Sequence, residues 1–533
     1  MGDRANGTVG APALDGVRAA MRGLSEDTGD YWVDFRVPVL HNPSPEEFLR
    51  EAVGRYHPVI ITGMIDEWPA LRLWGDPAYL EERVGDRPVG VNLTPDGHGD
   101  CVKDVFLQRH KQGQREGVGE AEGGSEGVGP LLPVRRKHFM VYPAEVQMPL
   151  RDFHNLLRQR KQGQERQQGQ GQRQASSGNR SANGRGSGSA SGASAPVVPY
   201  LSQQNDNLRQ SMPELLPDIQ HTLPLAEAAF RTGAGAGTGT GVGTGVEAGA
   251  EASALEALNL WIGDERSVSS MHKDHFENMY AVVSGCKTFT LLPPTDVAFL
   301  LHGAENAGAG GGDEGEDGGT FRGEREYPTL RYAVKSRKQR GAGLQAAAEA
   351  ETEAGAGVGA GVRAGESIDI EGLELELVRS PEDPPSLTWM RYDPDTDKAT
   401  DADTGADTGA DTGAGHTHAI RCDVRAGEVL YIPAMWYHRV SQRCHTVSVN
   451  YWYEQRFDFR YVMYSLARRL AEAEAAAAAA VAAMAAMAAA AALAAAMAVP
   501  APVVAAVEMA EGPDAETASV EEDEEEYAVT YFE

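Results

Sequence analysis

Short apolar runs separated by turn residues dominate the parts of the chain that have a complex sequence. Two such runs, at residues 280–284 and 288–292, flank a glycine-containing turn at 285–287, and this pattern predicts a β-hairpin. Closely spaced runs recur between residues 419 and 453, with a further turn at 425–427. Short strands that follow one another at turns predict a mainly β fold, either a barrel or a jelly roll.

Helical signals flank this β region. A helix predicted over residues 45–53 starts after an N-cap serine, and one over 77–84 starts after Asp76. Near the C-terminus, apolar residues recur at helical spacing over 458–475. We expect this last helix to pack on the barrel or on a partner.

Low-complexity segments interrupt the pattern. They are rich in Gly, Ala, Gln and Arg or in Asp-Thr-Gly repeats, and such compositions bury too little apolar surface to build a core. They lie near residues 110–130, 160–197, 232–250, 303–325, 340–366 and 395–418. We therefore predict a disordered N-terminus over 1–30, with at most a short helix at 14–24. One domain follows over 31–470, and a poly-alanine helix with an acidic tail over 471–533.

The charge balance restricts the classes of partner. The formal net charge is -30, which argues against non-specific binding to nucleic acid because phosphates would be repelled. It favours a basic polypeptide partner instead. Much of the negative charge lies in the acidic tail at 521–526, so the field at the folded domain differs from the average.

Cysteine usage and hydropathy bear on the compartment. The four cysteines, at positions 101, 286, 422 and 444, form no Cys-x-x-Cys pair, so we expect free thiols in a reducing compartment. The N-terminus lacks a basic-then-apolar signal peptide. The uncharged run at 475–499 is long enough to span a membrane, but it is mostly alanine, which drives insertion weakly. We therefore favour a helix outside the membrane.

The sharpest local signal for chemistry is His272-Lys273-Asp274. On a strand, residues two apart face the same side, so His272 and Asp274 would project together into a barrel. An imidazole nitrogen and a carboxylate oxygen suit Fe(II), Mn(II) or Zn(II). An isolated His-x-Asp is more often structural than metal-binding, so the hypothesis depends on a third ligand.

The best third ligand is His438, which follows an apolar strand and a turn at Pro433. Strands distant in sequence are neighbours in a jelly roll, so its separation from the first pair is no obstacle. Four other histidines are alternatives, for which we favour surface or packing roles: His275, His416, His418 and His445.

A metal with three protein ligands keeps positions open for a cosubstrate and oxygen. 2-Oxoglutarate would chelate it through one carboxylate and the keto oxygen, and its far carboxylate would need a buried cation. Lys287, on the strand after the His-x-Asp segment, fits that role. The alternative is an ordinary surface lysine in a hairpin.

Six ordered segments together resemble the JmjC family of oxygenases. They are residues 58–71 (PVIITGMIDEWPAL), 91–97 (VNLTPDG), 259–263 (NLWIG), 272–280 (HKDHFENMY), 426–438 (AGEVLYIPAMWYH) and 449–453 (VNYWY). The resemblance extends over 31–108, 131–157, 198–230, 255–300 and 419–470 and leaves the insertions and the tail uncovered. Several long ordered matches are more specific than any single motif.

This resemblance implies a double-stranded β-helix with iron at His272, Asp274 and His438. It also implies 2-oxoglutarate on Lys287, with Tyr200 and Ser269 as hydroxyl partners; related enzymes usually carry threonine at the second position. Further positions implied to line the pocket, with ordinary barrel packing as the alternative, are Asn278, Tyr280, Asn450 and Trp452.

The resemblance further implies an activity and a setting. Iron, 2-oxoglutarate and O2 would together hydroxylate an unactivated C–H bond. The expected substrate is C3 of a lysyl side chain in a developmentally regulated GTP-binding protein. We expect a cytoplasmic or nuclear homodimer that associates through the C-terminal helix.

Three other outputs remain open. A JmjC histone lysine demethylase would use the same centre on an N-methyl group, although the sequence carries no zinc-finger reader. A histone-tail endopeptidase would need the metal to activate water, and no separate protease constellation is visible. An inactive jumonji-like binding module would not need the complete triad and Lys287.

Overall fold

In the computed structural model, two facing β-sheets form a jelly roll. The structure describes residues 11–34, 36–107, 135–161, 197–230, 255–300, 324–335, 373–392 and 418–497. The predicted low-complexity segments and the acidic tail lie outside these residues, apart from a few residues at the edges of the segments. The fold is mainly β with flanking helices, as the sequence predicts.

Eighteen strands are named within the described residues. They are β1 (Val39–His41), β2 (Val59–Thr62), β3 (Pro88–Thr94), β4 (Cys101–Leu107), β5 (Arg135–Tyr142), β6 (Ala144–Pro149), β7 (Val198–Tyr200), β8 (Leu255–Gly263), β9 (Ser269–His272), β10 (Phe276–Ser284), β11 (Cys286–Leu292), β12 (Glu324–Val334), β13 (Leu375–Val378), β14 (Ser386–Met390), β15 (Ile420–Arg425), β16 (Val429–Ile432), β17 (Tyr437–Gln442) and β18 (Thr446–Glu454).

The α-helices are mostly short. They are α1 (Ala11–Asp27), α2 (Pro45–Phe48), α3 (Ala70–Leu73), α4 (Pro77–Val84), α5 (150–161), α6 (Asn207–Ser211), α7 (Pro224–Phe230), α8 (Val297–Leu300) and α9 (Phe459–Met497). Single turns of π-helix (Thr28–Trp32, Leu49–Val53) and 3₁₀-helix (Pro213–Asp218, Pro294–Asp296) continue or precede four of them.

The two main sheets run β1-β2-β16-β10-β18-β8 and β15-β11-β17-β9. Inward-facing side chains alternate along their strands and meet in one apolar cluster, to which Tyr280 and Val282 of β10 and Phe289 and Leu291 of β11 belong. The opposite face of the larger sheet packs against the N-terminal helices in the largest core cluster. A five-stranded sheet (β13-β12-β5-β4, with β14 on β12) and a three-stranded one (β6-β3-β7) complete the fold.

The predicted hairpin at 285–287 is wrong. β10 pairs with β16 and β18, whereas β11 pairs with β15 and β17, so the chain crosses from one sheet to the other at Gly285. Gly285 has φ +86°, and a Cβ there would lie 2.5 Å from the His445 carbonyl oxygen. The glycine between the two apolar runs therefore marks a tight corner at which the chain passes from one sheet to the other, not a turn within one sheet.

The short helix predicted at 14–24 is present and longer, since α1 spans Ala11–Asp27 and a π-turn follows it, so this part of the N-terminus is not disordered as predicted. Met21 is buried in a cluster that includes Tyr464 of α9, and Arg18 forms an ion pair with Glu474. Tertiary packing on α9 thus orders a segment whose own composition is weakly helical.

The helix predictions at 45–53 and 77–84 are confirmed. Ser44 accepts a hydrogen bond from the Glu47 amide (3.2 Å), and Asp76 accepts one from the Ala78 amide (2.9 Å). The C-terminal helix begins at Phe459 and continues through the poly-alanine run to Met497. No helix among the described residues is long and apolar enough to cross a membrane.

Candidate metal centre

His272, Asp274 and His438 lie together at one end of the barrel. Oδ2 of Asp274 is 3.7 Å from Nε2 of His272 and 3.5 Å from Nε2 of His438. Two atoms bound at right angles to one ion, each about 2.1 Å from it, would lie about 3 Å apart, so the spacing suits a single cation. This is the one such group of His, Cys, Asp or Glu within the described residues.

The structural basis of the His-x-Asp pair differs from the sequence prediction. β9 ends at His272 and β10 begins at Phe276, so Asp274 lies in the connection rather than on a strand. Its backbone carbonyl accepts a hydrogen bond from the Met435 amide at 2.8 Å. The connection that carries Asp274 is therefore tied to the turn that precedes His438.

Backbone carbonyls orient both imidazoles. Nδ1 of His272 lies 2.7 Å from the Ser270 carbonyl oxygen, and Nδ1 of His438 lies 3.0 Å from that of Trp436. A carbonyl oxygen only accepts hydrogen bonds, so each Nδ1 carries a proton, and in the neutral ring Nε2 then has the free lone pair. Both rings thus present Nε2 to the carboxylate, in the tautomer that a metal ligand requires.

The protonation states also suit a cation. Burial lowers the pKa of His272 to about 4, and the nearby His438 adds to this shift. Burial alone would raise the pKa of Asp274, but the two histidines outweigh it and lower that pKa to about 2. Near neutral pH the group offers a neutral imidazole at His272 and an ionised carboxylate, and metal binding need not displace a proton from either.

Lys287 is completely buried deeper in the barrel. It is paired with Gln442, four residues along β17 from His438, which is about 13 Å at the backbone. Its ammonium donates to the hydroxyls of Tyr280 (2.8 Å) and Tyr200 (3.2 Å). No carboxylate in the described part of the chain forms an ion pair with it, and burial lowers its pKa to about 7. The alternative of a surface lysine in a hairpin is therefore excluded.

The other positions implied by the resemblance surround this lysine. Ser269 makes a side-chain hydrogen bond with Tyr200, where burial raises the pKa of the phenol. Asn450 accepts a hydrogen bond from the Trp261 indole (2.9 Å) and donates to Asn278 (3.3 Å). These polar groups form a hydrogen-bonded lining in an otherwise apolar barrel.

Trp452 lies nearer the metal end of β18, opposite Asn278 on β10. Its ring stacks on Phe276 with centroids 4.7 Å apart and planes 6° apart. Packing against Phe276 therefore explains a tryptophan at this position as well as a pocket-lining role does.

The alternative histidines lie elsewhere. Nδ1 of His275 is 2.9 Å from the Gln455 amide nitrogen, and its ring packs on Tyr461 of α9. His418 forms a hydrogen-bonded ion pair with Asp296 (2.9 Å). His445 lines a separate cavity of about 460 Å³. His416 lies outside the described residues.

One aromatic neighbour of the centre was missed by sequence reasoning. Trp389 stacks on His272 with ring centroids 6.1 Å apart and planes 4° apart. It belongs to β14, a short strand between two low-complexity segments. Nothing local in the sequence marks it, because the contact joins residues more than a hundred positions apart.

The donor set fits a divalent iron, and the pocket beside it fits a dicarboxylate. Two nitrogens and one oxygen on one side of an ion leave further coordination positions free, the arrangement used by non-haem Fe(II) oxygenases. A buried ammonium without a carboxylate partner, flanked by hydroxyl groups, suits the far carboxylate of 2-oxoglutarate.

Comparisons with known proteins show the family of the fold. The cupin-like domain family matches residues 45–459. The human bifunctional peptidase and (3S)-lysyl hydroxylase JMJD7 is 26% identical over 462 residues, covering 86% of this chain and 98% of the relative. The lysine-specific demethylase JMJ32 of Arabidopsis thaliana is 27% identical over 432 residues, covering 80% and 84%. JmjC domain-containing protein E of Dictyostelium discoideum is 24% identical over 453 residues, covering 84% and 91%.

Proposed function

This chain belongs to the cupin-like family that includes its JmjC relatives, and from that premise we propose that it is an Fe(II)- and 2-oxoglutarate-dependent oxygenase that hydroxylates a lysyl side chain of a protein. The observation that carries the proposal is the His272–Asp274–His438 group, with Lys287 buried deeper in the same barrel and without a carboxylate partner among the described residues. The two histidines and the aspartate suit the metal, and the lysine suits the far carboxylate of the cosubstrate.

The side chains then have separate roles. Iron with 2-oxoglutarate supplies the oxidising chemistry that activates O2. His272 and His438 hold the metal in fixed ring orientations, and Asp274 contributes the negative charge. Lys287 neutralises the far carboxylate of the cosubstrate, with Tyr200 and Ser269 as hydroxyl partners. The apolar barrel around them excludes water.

Hydroxylation of lysine C3 is the proposed output because a relative matched over nearly its full length is named a (3S)-lysyl hydroxylase. A similarly close relative is named a lysine-specific demethylase, and demethylation is therefore the second candidate. Both reactions place a lysyl side chain at the same centre. They differ in which carbon of the side chain is presented.

The same hydroxylase relative is also named a peptidase, so peptide-bond cleavage is an outcome that the assay must register. An inactive binding module is disfavoured because the three candidate ligands and the buried Lys287 are all present in one barrel.

The decisive experiment is turnover of lysine-containing and trimethyl-lysine-containing peptides with Fe(II), ascorbate and 2-oxoglutarate, read by mass spectrometry. We expect a product heavier by one oxygen atom from the unmodified peptide. Loss of a methyl group would identify a demethylase, and two fragments a peptidase.

Replacement of one proposed ligand provides the matched test. His272→Ala should abolish turnover, whereas His418→Ala should retain it. Both side chains are 15% exposed, but His418 pairs with Asp296 outside the triad. No turnover by the wild type, or equal turnover by His272→Ala, would overturn the oxygenase proposal.

The partner and setting follow from the same resemblance. We propose that the substrate lysine lies in a developmentally regulated GTP-binding protein, in the cytoplasm or nucleus, and that the enzyme is a homodimer formed through α9. The net charge of -30 supports a basic protein segment rather than nucleic acid as the binding partner.

A further inference from the structure

The two proposed histidine ligands differ in how the sheet holds them. His438 lies on β17, which has β11 on one side and β9 on the other. His272 lies at the end of β9, a four-residue strand at the edge of the same sheet. Only two residue pairs join β9 to β17, with a register shift between them. The sheet alone therefore restrains His272 less than His438.

The strand β14 supplies an additional contact at this edge. Its Trp389 ring lies parallel to the His272 imidazole, 4° between planes and 6.1 Å between centroids. β14 is itself held by five residue pairs to β12, from Glu324–Met390 to Pro328–Ser386. The indole therefore rests on a paired strand rather than on a free loop.

The residues on either side of His272 also lie close to this strand pair. Met271 is buried in the same apolar cluster as Met390, the last residue of β14, and β9 and β14 are neighbouring strands. Lys273 forms an ion pair with Glu324 at the start of β12, and both side chains are largely buried. His272 and Lys273 thus contact β14 and β12 directly, and Met271 shares an apolar cluster with the end of β14.

We propose that the β12–β14 pair is a brace for the metal centre and that Trp389 is the positioning residue that fixes the plane of the His272 ring. This inference rests on the proposed function in one respect, namely that His272 binds the metal. No residue in the described part of the chain accepts a hydrogen bond from the Trp389 indole nitrogen. Trp389 therefore acts on the His272 ring through its flat face, in addition to the Ser270 carbonyl that accepts the hydrogen bond from Nδ1.

The test is the affinity for Co(II), measured by calorimetry, with the visible absorption of the bound ion as a report on ligand geometry. Trp389→Ala should weaken binding about 10–100-fold, the range typical of residues that orient a ligand. Trp389→Phe keeps a flat ring and should stay within about threefold of the wild type. Trp389→Leu keeps apolar volume without the ring and should fall between them, which retains a test if the alanine variant does not fold.

The matched control is Trp68→Ala. Like Trp389, Trp68 has an indole nitrogen with no hydrogen-bond acceptor among the described residues. Trp68 is buried and packs on Tyr451 in the core cluster behind the larger sheet, whereas Trp389 is half-buried. It should lower stability while leaving Co(II) affinity and spectrum unchanged. Equal loss of affinity in Trp68→Ala and Trp389→Ala would reduce the effect to general destabilisation and overturn the brace.

Failure of the two proposals can be told apart. If wild-type protein binds no Co(II), or binds it equally well with His272→Ala, both the metal centre and the brace are wrong. If wild type binds Co(II) through His272 but Trp389→Ala and Trp389→Leu bind it equally tightly with the same spectrum, only the brace is wrong.

Discussion

At the residue scale, the most informative side chain is Lys287. A fully buried ammonium is costly, and here the described residues offer it hydroxyls and the faces of Tyr200, Trp261 and Tyr280 instead of a carboxylate. Burial therefore lowers its pKa from 10.5 to about 7. Near neutral pH this lysine is therefore only partly protonated.

This pKa predicts how binding of 2-oxoglutarate depends on pH. A dicarboxylate needs the ammonium form, so above pH 7 binding must take up a proton. We expect the dissociation constant to be nearly flat below pH 7 and to rise up to about tenfold per pH unit above it. Calorimetry with saturating Mn(II), in two buffers of different ionisation enthalpy, measures both affinity and proton uptake.

Lys287→Arg is the control for that profile, because a guanidinium stays charged over the whole range. The affinity of this variant for 2-oxoglutarate should be lower at every pH but should not change as pH rises above 7.

The stability of the unliganded wild-type protein gives a second test of the Lys287 pKa. The folded pKa lies below the unfolded one, so the unfolded state binds more protons between about pH 7 and 10.5, and stability should rise with pH in that window. If neither the 2-oxoglutarate affinity nor the stability of the wild type changes with pH in this way, the proposed role of Lys287 is contradicted.

At the scale of elements, the turn before His438 links the strands of the centre. Met435 adopts φ +67°, a left-handed conformation unusual for a side chain of its size. Its amide donates to the Asp274 carbonyl, and the preceding Ala434 amide donates to buried Glu277 (3.2 Å). Glu277 also accepts from the Tyr431 hydroxyl (2.7 Å). The strained turn is held by contacts on both sides.

Replacement of Glu277 tests this support. Glu277→Ala leaves two buried donors without an acceptor, and we expect a loss of about 2–4 kcal/mol in the free energy of unfolding. Glu277→Gln keeps an acceptor oxygen, and burial already raises the pKa of this carboxyl, so it should cost under about 1 kcal/mol. Urea denaturation of the metal-free protein measures both. Equal losses in the two variants would show that the charge, not the hydrogen bonds, matters.

At the scale of the whole molecule, α9 leaves apolar side chains in solvent. They recur at helical spacing on its first turns: Phe459, Val462, Met463, Leu466 and Leu470, exposed by 73, 58, 42, 49 and 37%. Other residues of the same helix, such as Tyr464, pack inward in the cluster that contains Met21 of α1 and Met271 of β9. A helix that is apolar on an outer face as well is suited to a second copy of the chain.

We therefore predict that Val462→Glu combined with Leu466→Glu converts the proposed homodimer to a monomer at micromolar concentration. Analytical ultracentrifugation measures the change. Val39→Glu is the matched control, since Val39 is a 61% exposed apolar residue that lies on β1, the edge strand of the larger sheet, and not on α9. A wild-type protein that is monomeric throughout the concentration range would refute the dimer.

Residue type and local spacing determined much of this centre. His272, Asp274, His438 and Lys287 can all be identified as candidates from residue type and short spacing. Strand alternation does not place Asp274, however, because it lies in the connection between β9 and β10. The N-terminal ends of α2 and α4 could also be predicted from local sequence. Ser44 and Asp76 accept hydrogen bonds from backbone amides only two or three residues away.

Only the tertiary structure decided which strands are partners. The signal at Gly285 is the same for a hairpin and for a corner between two sheets, and long-range pairing with β15, β16, β17 and β18 selects the corner. The order of α1 comes from burial against α9, and the stacking of Trp389 on His272 comes from a strand that low-complexity segments separate from the barrel. The sequence by itself determined which chemistry is available, because that depends on residue type. Packing between distant segments determined which of those residues meet.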